Sequence, residues 1–225
     1  MLSLGTFILI KILVVDDHDL VRTGIVRMLS DVEGIEVIGE AESGEAAIKL
    51  TKELSPNVIL MDVKMPGMGG LEATKKLLHW HPEVRIVAVT AYDDDLYPQR
   101  LLQAGAAGYI TKGADLKEMI EAVYTVVRGE IYMSNNVARQ LAMKNFGGKK
   151  GDQSPFELLS ERELQTALMI TNGQKPMDIA ATFNVSPKTV NTYRYRIFEK
   201  LNINSDVELT LLAIKHHLLD PESVV

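Results

Sequence analysis

The chain has 225 residues, of which 46 % are hydrophobic and none is cysteine, and its formal net charge is −6. This composition excludes an intrinsically disordered chain, disulfide bonds and cysteinyl metal sites, and the lack of cysteine is compatible with the reducing cytoplasm. No run approaches the roughly 18 apolar residues that a membrane helix needs, and without a basic excess any binding of nucleic acid must use a local patch of positive charge.

The first half of the chain alternates short apolar runs with amphipathic segments. Residues 1–9 lack the cationic start of a signal peptide, and we interpret them as an N-terminal extension. The predicted strands are 10–15, 35–39, 58–62, 84–89 and 107–111. The predicted helices between and after them are 19–30, a segment capped by Ser43, 71–80, a segment opened by Asp93-Asp94-Asp95, and 116–127. Five such alternations predict an α/β domain over 10–130, built on a parallel sheet with crossover helices.

The alternation stops after Arg128, and the remainder has no strand pattern. We predict a linker over 131–155, with a connecting helix at about 134–144 followed by a glycine-rich polar stretch at 146–155. Residues 156–225 then form an all-α domain with four predicted helices at 160–171, 176–183, 187–201 and 206–217. The second half of the chain is therefore a separate helical domain.

Polar side chains follow four of the predicted strands, at the point where each strand ends. They are Asp16 and Asp17, Asp62, Thr90, and Lys112. In a doubly wound sheet the carboxyl ends of the strands lie along one edge, where ligands bind, so these groups should converge. Clustered carboxylates repel one another unless a cation joins them, and hard oxygen ligands favour Mg²⁺. Together with a fixed lysine charge and a hydroxyl group, the set suits phosphoryl transfer to a carboxylate.

The helical domain contains the signals of a helix-turn-helix. Ser160 and Glu163 form a capping box, and Ser186 with Pro187 marks the start of the third helix after a tight turn. Within 188–200 there are four basic residues and a single acidic one, Glu199. The basic residues are Lys188, Arg194, Arg196 and Lys200. The pattern is typical of a DNA-contacting helix, but a solvated amphipathic helix that packs through its apolar face would show it too.

Four separated motifs in the first domain resemble the receiver domain of two-component response regulators. They are VVDDH at 14–18, LMDVKMPG at 60–67, VTA at 89–91 and GAAGYITK at 105–112. The resemblance implies a five-stranded sheet of flavodoxin-like order 2-1-3-4-5. It also implies Asp62 as the phosphoacceptor, and a Mg²⁺ ion held by Asp17 directly, by Asp16 in the outer shell, by Asp62 and by the main-chain carbonyl of Lys64.

The same resemblance implies a switch around the phosphoryl group. Lys112 would pair with the phosphoryl oxygens, Thr90 would hydrogen-bond them, and Tyr109 would swing inward with Thr90. The phosphoryl donor would be a sensor histidine kinase.

The helical domain resembles the LuxR-type DNA-binding domain, which makes the whole chain similar to the NarL/FixJ family. The motifs are LSEREL at 159–164, DIA at 178–180, VSPKTV at 185–190 and KL at 200–201. Three further segments are similar to the GacA/UvrY/LetA group of global regulators: GQK at 173–175, KTVNTYRYR at 188–196 and DVELT at 206–210. That group implies a BarA/GacS-like hybrid kinase as partner, RNA polymerase as a further partner, and activation of genes for small regulatory RNAs.

In this family the third helix of the domain reads the major groove of double-stranded DNA. Carried over, the residues facing base edges are Asn191, Thr192 and Tyr195. Those holding phosphates are Lys188, Thr189, Arg194 and Arg196. Phosphorylation would promote a homodimer through the last helix, around Val207 and Leu211, and bring two recognition helices to half-sites about one helical turn apart.

We therefore predict a cytoplasmic, DNA-binding response regulator without metabolic enzyme activity, although slow self-dephosphorylation is expected. A magnesium-dependent phosphatase on the same pocket is the first alternative, but it needs an acid two residues after the nucleophile, where this chain has Lys64. A helical domain that binds protein rather than DNA is the second alternative, and DNA binding after replacement of Lys188 and Arg194 discriminates it.

Overall fold

The computed structural model describes residues 9–90, 97–135, 137–139, 154–216 and 218. The chain divides into two compact units, Met1–Leu141 and Ala142–Val225. None of the helices among these described residues is long and apolar enough to cross a membrane.

The first unit is built on a parallel sheet. Its strands are β1 (Ile10–Val15), β2 (Ile35–Ala41), β3 (Val58–Asp62), β4 (Arg85–Thr90), β5 (Gly108–Thr111) and β6 (Tyr132–Met133). The sheet order is β2-β1-β3-β4-β5-β6, which confirms the predicted order of the first five strands. The prediction of a five-stranded sheet is corrected by β6, which pairs in parallel with the outer edge of β5. A strand of two residues is too short to give an alternation pattern, so its sequence did not indicate it.

Helices cover both faces of this sheet. They are α1 (Asp19–Ser30), α2 (Gly44–Leu54), α3 (Gly70–Trp80), α4 (Tyr97–Gln103) and α5 (Leu116–Val127). One core cluster joins the sheet to α1 and α5 through residues such as Leu29 and Val123, and a second joins it to α2 and α3 through Ala47 and Leu77. Every residue of β3 is buried, as expected for a central strand apolar on both faces. The unit is therefore a doubly wound α/β fold.

Two predicted helix segments fall partly outside the described residues. Asp93-Asp94-Asp95, predicted to open the helix before β5, lies outside them, and α4 is described from Tyr97. Of the predicted connecting helix at 134–144, residues 135 and 137–139 are helical and Ser134 is not, while residues 136 and 140–144 lie outside the described ranges.

The second unit is helical. A 3₁₀ turn (Pro155–Leu158) precedes α6 (Glu161–Thr171), α7 (Pro176–Phe183), α8 (Pro187–Leu201) and α9 (Asp206–Lys215). Its buried core includes Phe156, Leu164, Ile179, Ile197 and Leu209. Asn184 and Asn202 end α7 and α8 in the left-handed conformation, with φ of 52° and 53°, which asparagine adopts more readily than most residues. The four predicted helices are confirmed, with the last ending at Lys215.

Candidate functional site

The carboxyl ends of four neighbouring strands form one polar pocket in the first unit. Since β1, β3, β4 and β5 lie side by side and parallel, the groups that follow them share one edge of the sheet. Asp16, Asp62 and Thr90 are buried there, and Asp17 is partly exposed. The main-chain N–H of Lys112 donates to the carbonyl of Thr90 at 2.6 Å, which fixes the end of β5 beside the end of β4.

The ammonium group of Lys112 joins two of the carboxylates. Its Nζ lies 2.8 Å from Oδ2 of Asp16 and 3.0 Å from Oδ2 of Asp62. Burial acts to lower the pKa of Lys112, but the hydrogen bonds and charges of Asp16 and Asp62 outweigh it and raise this pKa. Lys112 is therefore a permanent positive charge in the pocket.

Asp62 is the carboxylate with the most perturbed acidity. Burial and the charge of Asp16 raise the pKa of Asp62 from 3.8 to about 6, although the charge and hydrogen bond of Lys112 and the Lys64 N–H oppose the shift. The Lys64 N–H donates to Oδ1 of Asp62 at 3.3 Å. A pKa of about 6 leaves the carboxylate mainly ionised at neutral pH.

The pocket has the donor set of a site for a hard cation. Ligand atoms of Asp16, Asp17, His18 and Asp62 lie within 4.8 Å of one another. Three carboxylates with a single lysine as counter-charge leave the cluster acidic, and carboxylate oxygens are ligands that Mg²⁺ prefers. The sequence-based prediction did not include His18, whose Nδ1 is 3.0 Å from Oδ1 of Asp17.

Arg22 of α1 holds the end of β1 and was also missing from the predicted site. Its Nη1 donates to the main-chain carbonyl of Asp16 at 2.8 Å, its Nη2 donates to Asp19 at 2.5 Å and its Nε donates to Glu40 at 3.3 Å. One largely buried guanidinium thus connects β1, α1 and the end of β2. Its i,i+3 spacing from Asp19 could have indicated the ion pair, but its bond to the Asp16 carbonyl has no sequence signal.

The turn after Asp62 depends on a glycine. Gly70 donates to the carbonyl of Val63 at 3.0 Å, and a Cβ at position 70 would lie 2.0 Å from the carbonyl oxygen of Asp62. Only glycine permits this approach of the two backbone segments.

Thr90 and Tyr109, which the sequence predicts to act with Lys112 in the switch, are both buried. The Thr90 hydroxyl has no hydrogen-bond partner in the described part of the chain, which leaves it free to donate to a new acceptor. Tyr109 lies in the middle of β5 and is fully buried, so its ring is already inside the unit.

In the second unit, α8 presents a polar outer face. Ser186 caps the helix by accepting the N–H of Thr189 at 3.2 Å, and Pro187 occupies the first turn. Val190, Ile197 and Leu201 form its buried face. On the other side Lys188, Thr192, Tyr195 and Arg196 are exposed, and Thr189 and Asn191 are half-buried.

Two of the four basic residues in this stretch are already paired. Arg194 donates through Nε and Nη2 to both carboxylate oxygens of Asp206, each at 2.7 Å. Lys200 donates to Glu163 at 2.6 Å, and Glu163 also accepts the N–H of Ser160 in the capping box. Burial acts to raise the pKa of Glu163, but these hydrogen bonds outweigh it and lower the pKa. Exposed positive charge on α8 therefore comes from Lys188 and Arg196 among the predicted contacts.

The last helix carries two exposed apolar side chains one turn apart. Val207 and Leu211 of α9 are 69 % and 62 % exposed. Side chains four residues apart in a helix lie on the same face, so the two form one apolar patch.

Two protein families match this chain, one for each unit. The response regulator receiver domain matches residues 12–124, and the family of bacterial regulatory proteins of the luxR type matches residues 157–213. The chain is similar to the response regulator GacA of Pseudomonas aeruginosa, with 59 % identity over 96 % of this chain and 100 % of that protein. It is 49 % identical to the response regulator UvrY of Escherichia coli K12, over 96 % of this chain and 99 % of that one.

A solved structure supports the same assignment. RcsB of Salmonella enterica serovar Typhimurium, bound to the promoter P1flhDC in the presence of the phosphomimetic BeF₃⁻, has a TM-score of 0.67 and 25 % identity, covering 91 % of this chain and 98 % of that one. Receiver and LuxR-type domains in this order define the NarL/FixJ architecture. The chain thus belongs to the two-component response regulators with a LuxR-type DNA-binding domain, within the GacA/UvrY group.

Proposed function

We propose that Asp62 accepts a phosphoryl group from a phosphohistidine of a sensor histidine kinase, of the BarA/GacS-like hybrid type. An oxygen of the carboxylate forms the new bond to phosphorus while the P–N bond breaks, and the imidazole leaves with the electron pair of that bond. The observation that carries the proposal is the Lys112 ammonium, 3.0 Å from Oδ2 of Asp62. It is placed to offset the negative charge that transfer adds, which is where a phosphoryl-transfer site gains most.

The pocket would hold Mg²⁺ through Asp16, Asp17, Asp62 and the main-chain carbonyl of Lys64. When bound, the ion supplies positive charge against the phosphoryl oxygens. The clustering of three of these carboxylates supports the assignment. Arg22 orients the ligands by holding the backbone at Asp16.

Phosphorylation would act through Thr90, Lys112 and Tyr109. The Thr90 hydroxyl is buried without a partner among the described residues, so new phosphoryl oxygens would give it an acceptor. Because the buried hydroxyl then has a hydrogen-bond partner, the phosphorylated arrangement of β4 and β5 is favoured, which biases a two-state domain. Tyr109 would be retained in its buried position in that state.

The second unit would read DNA through α8. The residues we assign to base edges are Asn191, Thr192 and Tyr195. Those we assign to phosphates are Lys188, Thr189 and Arg196. Arg194, the fourth phosphate contact predicted from the sequence, is already paired with Asp206. The exposed polar face of α8, opposite a buried apolar one, supports this assignment.

Phosphorylated chains would pair through the apolar patch of Val207 and Leu211. A twofold dimer places two copies of α8 at half-sites about one helical turn apart. We infer promoters of genes for small regulatory RNAs as targets and RNA polymerase as the partner that the bound dimer recruits. Access to chromosomal DNA then implies a cytoplasmic location. Slow loss of the phosphoryl group to water would reset the switch.

The proposal is tested by DNA binding of the full chain. Affinity for promoter fragments of small-RNA genes is measured with and without acetyl phosphate and Mg²⁺, for wild type, Asp62→Asn and the control Asp31→Asn, whose exposed side chain directly follows α1. We expect the phosphodonor to tighten binding by wild type and the control, but not by Asp62→Asn. Equal binding in every sample would refute the switch at Asp62 and leave DNA binding intact.

A further inference from the structure

Arg194 is held more firmly than any other proposed DNA contact. Its guanidinium makes a two-pronged hydrogen bond to Asp206, with both distances 2.7 Å, and it lies 5.2 Å from the ring centre of Phe198. Arginine presents its donors in a rigid planar fork, so a two-pronged pair fixes direction as well as distance. By contrast, Lys188 and Arg196 are exposed and have no ion-pair partner within the described residues.

The two partners belong to different helices with different proposed tasks. Arg194 lies midway along α8, and Asp206 is the first residue of α9, directly before Val207. A negative charge is favourable at that position because the N-terminal end of a helix carries a partial positive charge. The pair therefore spans the turn of residues 202–205 and connects the proposed DNA-reading helix to the proposed dimer patch.

We propose that Arg194 is a positioning residue: its pair with Asp206 sets the direction of α8 relative to α9, and hence the separation of two recognition helices in a dimer. The inference rests on the proposed role of α8 in reading DNA. It assigns Arg194 no share of the phosphate contacts, because a guanidinium already neutralised by a carboxylate releases no counterion from DNA.

The salt dependence of binding separates this role from a phosphate contact. The full chain is titrated against a small-RNA promoter fragment over a range of salt, as wild type, Arg194→Ala, Asp206→Ala and the double variant. We expect each single variant to bind about tenfold more weakly, and the double variant to lose no more than either single one, because one interaction is lost in all three. The slope of log affinity against log salt should stay at the wild-type value in the double variant.

Arg196→Ala is the matched control on the same helix. Its exposed guanidinium is a proposed phosphate contact, so its loss should reduce the slope by about 0.9. Glu199→Gln removes an exposed negative charge from α8 without touching Arg194 and should leave both slope and affinity near wild type. Because Arg194 and Asp206 are partly solvent-exposed, the variants should keep the helix content of the wild type.

A direct test of positioning compares two fragments whose half-sites differ by one inserted base pair. Wild type should prefer the natural spacing, and the double variant should bind both fragments equally. A slope reduced by about 0.9 in the double variant, additive losses in the single variants, or unchanged spacing preference would each overturn the inference. Failure of wild type to bind any fragment would instead refute the proposed function of α8.

Discussion

Asp62 keeps a charge in surroundings that oppose it. Burial and the neighbouring Asp16 carboxylate raise its pKa to about 6, while Lys112 and the Lys64 N–H oppose the rise. The ionised carboxylate thus lowers the stability of the first unit unless a cation or a phosphoryl group is bound beside it. Active-site groups commonly show this conflict.

Replacing Asp62 with asparagine should stabilise the first unit, and more so at high pH. A folded-state pKa of about 6 above an unfolded value of 3.8 means that this group's stabilising contribution is complete below pH 3.8 and is lost as pH rises through 6. In EDTA we expect Asp62→Asn to raise the free energy of unfolding by about 2 kcal/mol at pH 8, and by much less at pH 4. The fluorescence of Trp80, the single tryptophan, reports this unit alone. A gain independent of pH would contradict the assignment.

Arg22 should control the affinity for Mg²⁺ without contacting the ion. Arg22→Gln releases the Asp16 carbonyl, so the carboxylates of β1 lose their fixed direction. Since second-shell partners typically account for 10–100-fold in metal affinity, we expect a loss of about tenfold by calorimetric titration. Arg27→Ala removes an exposed arginine from the same helix and should bind the ion as wild type does. Equal affinities for both variants would show that Arg22 supports only the fold.

At the residue level, the sequence predicted the polar groups that follow strands and missed the side chains whose partners lie on other elements. Asp16, Asp62 and Lys112 stand out because each interrupts an apolar run at a strand end. Arg22 and Asp206 look like ordinary surface charges, since their partners are a backbone carbonyl and an arginine of another helix. Such contacts depend on tertiary geometry rather than on spacing.

The connection from β3 to α3 shows how closely two segments of backbone pass. Position 70 has no room for a Cβ, which would meet the carbonyl oxygen of Asp62 at 2.0 Å and the Cα of Val63 at 2.9 Å. Both obstacles are backbone atoms, which cannot rotate away as a side chain can.

A pair of glycine variants tests this approach of the two segments. We expect Gly70→Ala to lower the free energy of unfolding of the first unit by about 3 kcal/mol in denaturant titrations followed by Trp80 fluorescence. Gly24 lies inside α1 with nothing within 4 Å of its virtual Cβ, so Gly24→Ala should raise stability by about 0.5–1 kcal/mol. Similar effects of the two changes would show that helix propensity, not contact, governs position 70.

At the level of elements, periodicity and capping signals were sufficient for most of the fold. The predicted bounds of α1, α5, α7 and α8 match the observed ones, because Pro176, Pro187 and Asp115 mark clear starts. β2 extends to Ala41, two residues beyond its predicted end at Gly39, since pairing with β1 continues past the glycine. β6 escaped prediction because its pairing depends on the edge that β5 offers.

At the scale of the whole molecule, the proposed phosphorylation site belongs to the first unit and the proposed DNA-binding and dimer surfaces belong to the second. The first unit has the acidic pocket and the second has the exposed face of α8 and the apolar patch of α9. Both family matches and full-length similarity to GacA and UvrY show that the two belong together in one regulator.

Association of the phosphorylated chain should depend on the α9 patch. Leu211→Asp places a charge in the proposed interface, where it would be desolvated without a partner, and should weaken the dimer by about tenfold or more, as for a central apolar contact. Sedimentation of protein treated with acetyl phosphate and Mg²⁺ measures the effect. Met177→Asp is the matched control, since Met177 is 73 % exposed on α7. Equal weakening by both variants would place the interface elsewhere.

The tight passage at Gly70 also bears on how this regulator can evolve. Every amino acid that a single base change could substitute there brings a Cβ into the Asp62 carbonyl oxygen. Lineages can vary the neighbouring turn, but this codon tolerates only synonymous drift while the pocket is under selection. Position 70 should therefore appear in mutagenesis screens as a loss-of-signalling hotspot, although its residue has no side chain and takes no part in the chemistry.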